Sequence, residues 1–173
     1  MNTKELFDRF KKACPNSKAT FDPTPSNIAS WKMHIANTTK YKRFAEANHL
    51  VVDKDKLKSF NDLIYSRRIT SIGGSPQYIQ DKLKARVEFI INNYDFVYEI
   101  YIEGSYAKGY YIDDQTTAGE KAILSLFIDT TKISDFDFSV NGINSLNNYN
   151  GEDDIVPRTG SGSLIWQVDK GFI

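Results

Sequence analysis

At Asn92-Asn93 the hydrophobic period of the chain changes, and that change limits what it can fold into. Upstream, apolar residues recur every three or four positions; downstream they alternate. Helical spacing cannot bury one face of a strand, and alternation cannot bury one face of a helix. The chain is therefore expected to be α+β: an N-terminal helical region, one long helix, then an antiparallel β-meander.

The helical half has local start and stop signals. Asn2 and Glu5 suit a capping box for a first helix with Leu6, Phe7, Phe10 and Cys14 on its apolar face, ended by Pro15. The Pro/Ser/Thr/Asn-rich stretch 15–26 reads as a loop. A second helix is expected from about Ser26 with Ile28, Trp31 and Ile35. A third, capped by Thr38 or Thr39, would carry Tyr41, Phe44 and Ala45. Asp53 is the natural N-cap of a fourth, containing Leu57, Phe60, Leu63, Ile64 and Arg67. Gly73-Gly74 closes this half. Ser75-Pro76 then starts the long helix, whose stripe is Ile79, Leu83, Val87, Ile90 and Tyr94. Two regions follow: residues 1–75, a basic helical region or arm, and 76–173, the long helix with an acidic antiparallel β domain.

Strands are expected at Phe96–Glu103, Tyr110–Asp113, Ala122–Asp129, Ile133–Val140 and Leu164–Ile173. Turns are expected at 115–119 and Asn141-Gly142, and a polar loop over 144–154.

Charge separates the same two regions. The formal net charge is +0, yet residues 1–75 hold fourteen Lys/Arg against seven Asp/Glu, and residues 76–173 hold eight against fifteen. A basic end and an acidic end suit head-to-tail contact between copies, as in rings, and the basic half also suits an acidic partner or nucleic acid. The ten Tyr and eleven Phe suit subunit interfaces. The single Cys14 leaves no internal disulfide and no cysteine-based zinc site. With no membrane-length apolar run and no signal peptide, the expectation is a soluble protein made in the cytoplasm, without a membrane partner.

Few residues have chemistry in their pattern. His34 and His49 have no matching ligand set, and two histidines support no Ser-His-Asp or Cys-His arrangement. Glu152-Asp153-Asp154 reads as a solvated acidic loop. The run from Arg158 to Ser163 lacks the Lys-Ser/Thr and the helix of a P-loop. What remains is Gly104-Ser105-Tyr106-Ala107-Lys108-Gly109 and Ser134-Asp135-Phe136-Asp137-Phe138.

These two fragments resemble the glycine-serine turn and the carboxylate pair of metal-dependent nucleotidyltransferases. Asp135 and Asp137 alternate, so both fall on one face, as two metal ligands must. The resemblance implies Mg²⁺ held by Asp135, Asp137 and Asp169, an NTP seated at Gly104 and Ser105, and a protein, RNA or small hydroxyl acceptor. It also implies a short connection between the fragments, where this chain has the segment 110–133. Without that resemblance, Gly104 is a strand end and Asp135 and Asp137 are the wet side of a strand whose Phe136, Phe138 and Val140 face a core.

The architecture as a whole, a helix leading into a meander with outward-reaching loops, resembles the connector, neck and tail proteins of tailed bacteriophage virions. The residues concerned are the Pro76–Tyr94 helix and the strands at Phe96–Glu103, Ala122–Asp129 and Ile133–Val140. This resemblance implies a non-enzymatic structural protein that docks into a homo- or hetero-oligomeric, virion-like complex, without cofactor or metal. It is the leading expectation from sequence, with nucleotidyl transfer as the other.

Overall fold

The computed structural model describes residues 2–47, 53–125, 128–142 and 154–173. The chain forms two compact units. The first is Met1–Ser66 with Ile112–Lys132; the second is Arg67–Tyr111 with Ile133–Ile173. The segment after the glycine-serine turn, Ile112–Lys132, thus groups with the N-terminal helices.

In the first unit, α1 (Thr3–Ala13) starts at the expected reciprocal cap: the Glu5 amide donates to Asn2 Oδ1 at 2.9 Å, and Asn2 Nδ2 donates to Glu5 Oε1 at 3.2 Å. The second and third expected helices are one, α2 (Pro25–Ala47). Thr38 and Thr39 cap nothing. Their hydroxyls bond back to the carbonyls of His34 and Ile35, which satisfies them inside a continuous helix. The side chains of Phe44 and Ala45, and all of His49, lie outside the described residues. Asp53 caps α3 (Lys54–Arg67), accepting from the amides of Asp55 and Lys56.

Phe7, Phe10, Cys14 and Trp31 form the core between α1 and α2, with the Phe7 and Trp31 rings edge-on at 4.9 Å. His34 is buried beside the rings of Phe10 and Tyr65. Tyr110–Asp113 does not form the expected strand, and among the described residues of Ala122–Asp129 there is helix and no strand. A turn closed by Asp113 and Thr116 leads into α6 (Ala118–Leu124), which begins with a full Thr117/Glu120 capping box.

In the second unit, α4 (Gln77–Asn93) follows the expected stripe, burying Ile79, Leu83, Val87 and Ile90. Ser75 does not cap it; its hydroxyl donates to the Ile72 carbonyl. The strands are β1 (Glu99–Glu103), β2 (Asp137–Asn141), β3 (Asp154–Pro157), β4 (Ser163–Gln167) and β5 (Gly171–Phe172), in the spatial order β3-β2-β1-β4-β5. The fold class is α+β, but the sheet is mixed: β1 pairs antiparallel with β2 and β4, and β4 with β5, while β2 and β3 run parallel. Parallel neighbours need a long connection, and the dozen residues between β2 and β3 provide one. The expected meander is corrected on this point.

Alternation sorts the two faces of the sheet. Ile100, Ile102, Phe138, Val140, Ile155 and Ile165 join the α4 stripe in the core. Glu99, Tyr101, Glu103, Asp137, Ser139 and Asn141 occupy the opposite face. Since β3 and β4 run the same way, residues 158–162 must return from one end of the sheet to the other. They cross that opposite face as a strap.

Candidate functional site: the carboxylate end of the sheet

β1 ends where β2 and β3 begin, so topology alone gathers Glu103, Gly104, Asp137 and Asp154 at one end. Glu103 pairs with Asp137 across β1–β2, and Asp137 pairs with Asp154 across β2–β3. Gly104 has φ +65° and opens the short helix α5 (Gly104–Lys108). A Cβ at this position would overlap Asp137 Oδ2, with Asp137 Cγ only 2.9 Å away. The Asp137 carboxyl group therefore lies against the glycine itself, and no side chain fits between the turn and the strand. The two fragments meet despite the long segment between them.

Aromatic packing fixes the turn. The Tyr106 ring stacks on Tyr111 at 4.2 Å and 9°, and packs on Phe136 at 4.3 Å. The Tyr106 carbonyl accepts from the Ile69 amide at 2.9 Å. Arg67 donates to the Tyr111 carbonyl at 2.7 Å and lies 4.3 Å over the Tyr111 ring. Gly109, with φ +94°, ends α5 and donates to the Ser105 carbonyl at 2.8 Å. Phe136, between the two aspartates, thus belongs to the stack that supports Gly104.

Asp135 is exposed and Asp137 half-buried, with buried Phe136 between them; β2 begins at Asp137, so Asp135 precedes the strand. Ser105 is half-buried in the first turn of α5. Asp169 does not join them. It lies in the turn after β4, and Gln167 pairs with Glu99, so Asp169 is at the opposite end of the sheet. The acidic residue whose backbone stands beside Asp137 in register is Asp154. In sequence Asp154 belongs to an acidic loop; the only clue to its place is the short apolar run Ile155-Val156 that follows it. Glu152 and Asp153 lie outside the described residues.

The strap lies beside this end. Arg158 donates to Ser139 Oγ at 3.3 Å and to the Ser161 carbonyl, and its guanidinium carbon is 3.4 Å from the Tyr101 ring centroid. Its Nη1 is 3.6 Å from Glu103 Oε1, which also accepts from Thr159 Oγ1. Gly162, φ +84°, leaves no room for a Cβ against the Ile102 carbonyl. No local spacing signals this contact, because Arg158 and Glu103 are distant in the chain.

Burial, the negative charge of Glu99 and a hydrogen bond to that carboxylate push the Tyr101 phenol up, against the lowering influence of Arg158. Among the described residues, no three His, Cys, Asp or Glu side chains are close enough together to hold a metal ion. The donors present are carboxylate oxygens, which in kind match a hard divalent cation. Among the described residues no helix is long and apolar enough to cross a membrane. Comparison with protein-family models, curated proteins and solved structures finds no match.

Proposed function

We propose that the chain carries out nucleotidyl transfer from an NTP to a hydroxyl acceptor at the carboxylate end of the sheet. The observation behind this reading is the seating of Asp137 against Gly104. A glycine-serine turn that meets a carboxylate strand is the arrangement that nucleotidyl transfer would use to bring phosphate and metal together.

In this reading Asp135 and Asp137 would hold Mg²⁺. The metal supplies charge neutralisation at the attacking and leaving oxygens of an in-line displacement. The residues do the positioning. Gly104, without a side chain, lets the Asp137 carboxyl group sit against the turn, and the Tyr106–Tyr111–Phe136 stack keeps the turn in place while the acceptor oxygen bonds to the α-phosphorus and pyrophosphate departs. The acceptor's own subsite is outside this proposal.

A separate observation favours a second reading, docking into a larger assembly. At the other end of the sheet Phe96 is 76 % exposed at φ 65°, with Tyr98 and Val168 also exposed and joined by a Val168 amide to Tyr98 carbonyl bond. Exposed aromatic and aliphatic groups of this kind suit a protein partner. One pair of measurements separates the readings. Labelling by radiolabelled NTP in Mg²⁺ is expected for the wild type and lost in Asp135→Ala and Asp137→Ala. If no NTP labels any acceptor while native mass shows a stable oligomer, transfer is rejected and docking is favoured.

A further inference from the structure

α2 and α3 meet along a polar seam in the helical unit. Asn61 Nδ2 donates to Thr38 Oγ1 at 2.9 Å, and the His34 and Tyr65 rings lie 5.3 Å apart, so the two helices run antiparallel. The α2 row that is buried or half-buried here is Ser30, His34, Asn37, Thr38 and Tyr41, at helical spacing. Polar groups thus stand where a packed helix ordinarily buries aliphatic ones. Ser30 is 5 % exposed and Asn61 0 %, and among the described residues Ser30 Oγ, Asn37 Nδ2 and Asn61 Oδ1 have no hydrogen-bond partner. A buried polar group left unmatched weakens the contact it sits in, and segments open first where contacts are weak.

His34 stands in the middle of this row, 0 % exposed, with the Phe10 ring of α1 at 5.6 Å and the Tyr65 ring of α3 on the other helix. Burial away from water suits the neutral imidazole and penalises the imidazolium, and attraction to two tilted rings offsets only part of that penalty. We propose that the α2–α3 seam is an acid-triggered joint: a proton taken from solvent by His34 parts the two helices. Opening exposes the imidazole to water, where it binds a proton more readily. The closed seam is therefore fully favoured above the ordinary histidine range, about pH 6.5, and loses ground as pH falls through it. The other titratable and charged groups of this core do not reproduce the effect. α1 brings the Lys11 ammonium, which opposes a second positive charge, and the Cys14 thiol, which burial above all pushes up to about 12 and so keeps protonated in this range. α3 brings Tyr65, Lys58 and Asp62. Burial pushes the Asp62 carboxyl up, against lowering by a hydrogen bond with Asn16 and by Lys58 and Lys11. Such a carboxyl is protonated first in the closed form, so through Asp62 acid favours closure, the opposite sign.

The chain has two histidines, His34 and His49, which makes the assignment testable. Hydrogen exchange of the full chain, read by mass spectrometry at about pH 7.5 and about pH 5.5 and corrected for the chemical exchange rate, measures opening on both sides of the histidine range. In the wild type the opening constant over residues 30–41 and 57–65 is expected to rise about tenfold between the two, the full linkage of one histidine, while α4 keeps its protection. The rise should vanish in His34→Leu and persist in His49→Gln. A histidine that only fills space would change protection by the same factor at both pH values. Wild-type protection that ignores pH overturns the proposal, as does a rise that survives in His34→Leu. An equal loss in α4 is general acid unfolding and overturns it too. Should His34→Leu fail to fold, His49→Gln decides, since His34 is then the one histidine left: loss of the pH effect in that variant overturns the joint.

Discussion

Gly104 is the residue on which the site depends. Its left-handed φ is strained for any L side chain, and the space a Cβ would take is filled by the Asp137 carboxyl group. Gly104→Ala is expected to cost about 1–2 kcal/mol from backbone strain alone, and to push Asp137 off the turn. Urea unfolding should show the stability loss, and NTP labelling should fall as far as in Asp137→Ala; full labelling would mean the close approach is not needed. Gly104, Ser105, Asp135 and Asp137 come from the sequence through its nucleotidyltransferase resemblance. Asp169 could not be placed the same way, because only strand pairing tells which run adjoins Asp137.

At the scale of elements, helix starts were the most legible. Asn2 with Glu5 and Asp53 cap where the side-chain chemistry says they should, since a cap is satisfied within one turn of chain. The apolar run Ile123-Leu124 was misread as strand because a short apolar run has no period of its own. The deciding signal was the Thr117-x-x-Glu120 pair just before it. Thr117→Ala should remove the cap and destabilise α6 by about 1 kcal/mol. Amide hydrogen exchange should then speed up at Glu120 and Lys121; unchanged protection would show that packing rather than the cap holds the helix. Thr38 and Thr39 were misread for the converse reason. A threonine that bonds the carbonyl four residues back is compatible with a helix interior, so residue type alone does not mark an end.

For the whole molecule, dividing the charges by compact unit changes their meaning. Cut at residue 75, the sequence is a basic region and an acidic one. Cut by structure, the first unit holds fourteen Lys/Arg and eleven Asp/Glu, and the second eight and eleven. The acids of 112–132 offset the basic helices, which removes much of the field that suggested head-to-tail attraction. Stability of the whole chain should also depend on alkaline pH through Cys14. Burial, and then the charge of Asp62, push its thiol up from 9.0 to about 12, against a smaller lowering by Lys11. The unfolded thiol ionises first, so this contribution is intact below pH 9.0 and is lost as pH climbs toward about 12. Denaturant midpoints across that window should fall less steeply in Cys14→Ala than in the wild type; parallel curves would exclude the effect.

The sequence by itself determined the α+β class, most helix starts and the α4 stripe. These are signals carried by periods and caps, whose physics operates over a few residues. Only the tertiary structure decided that β2 and β3 run parallel, that residues 112–132 leave the sheet unit, that Asp154 and not Asp169 stands beside Asp137, and that Arg158 reaches Glu103. Each of those depends on which strand finds which neighbour, a choice made by burying both sheet faces and pairing backbone groups at once, and no local spacing encodes it.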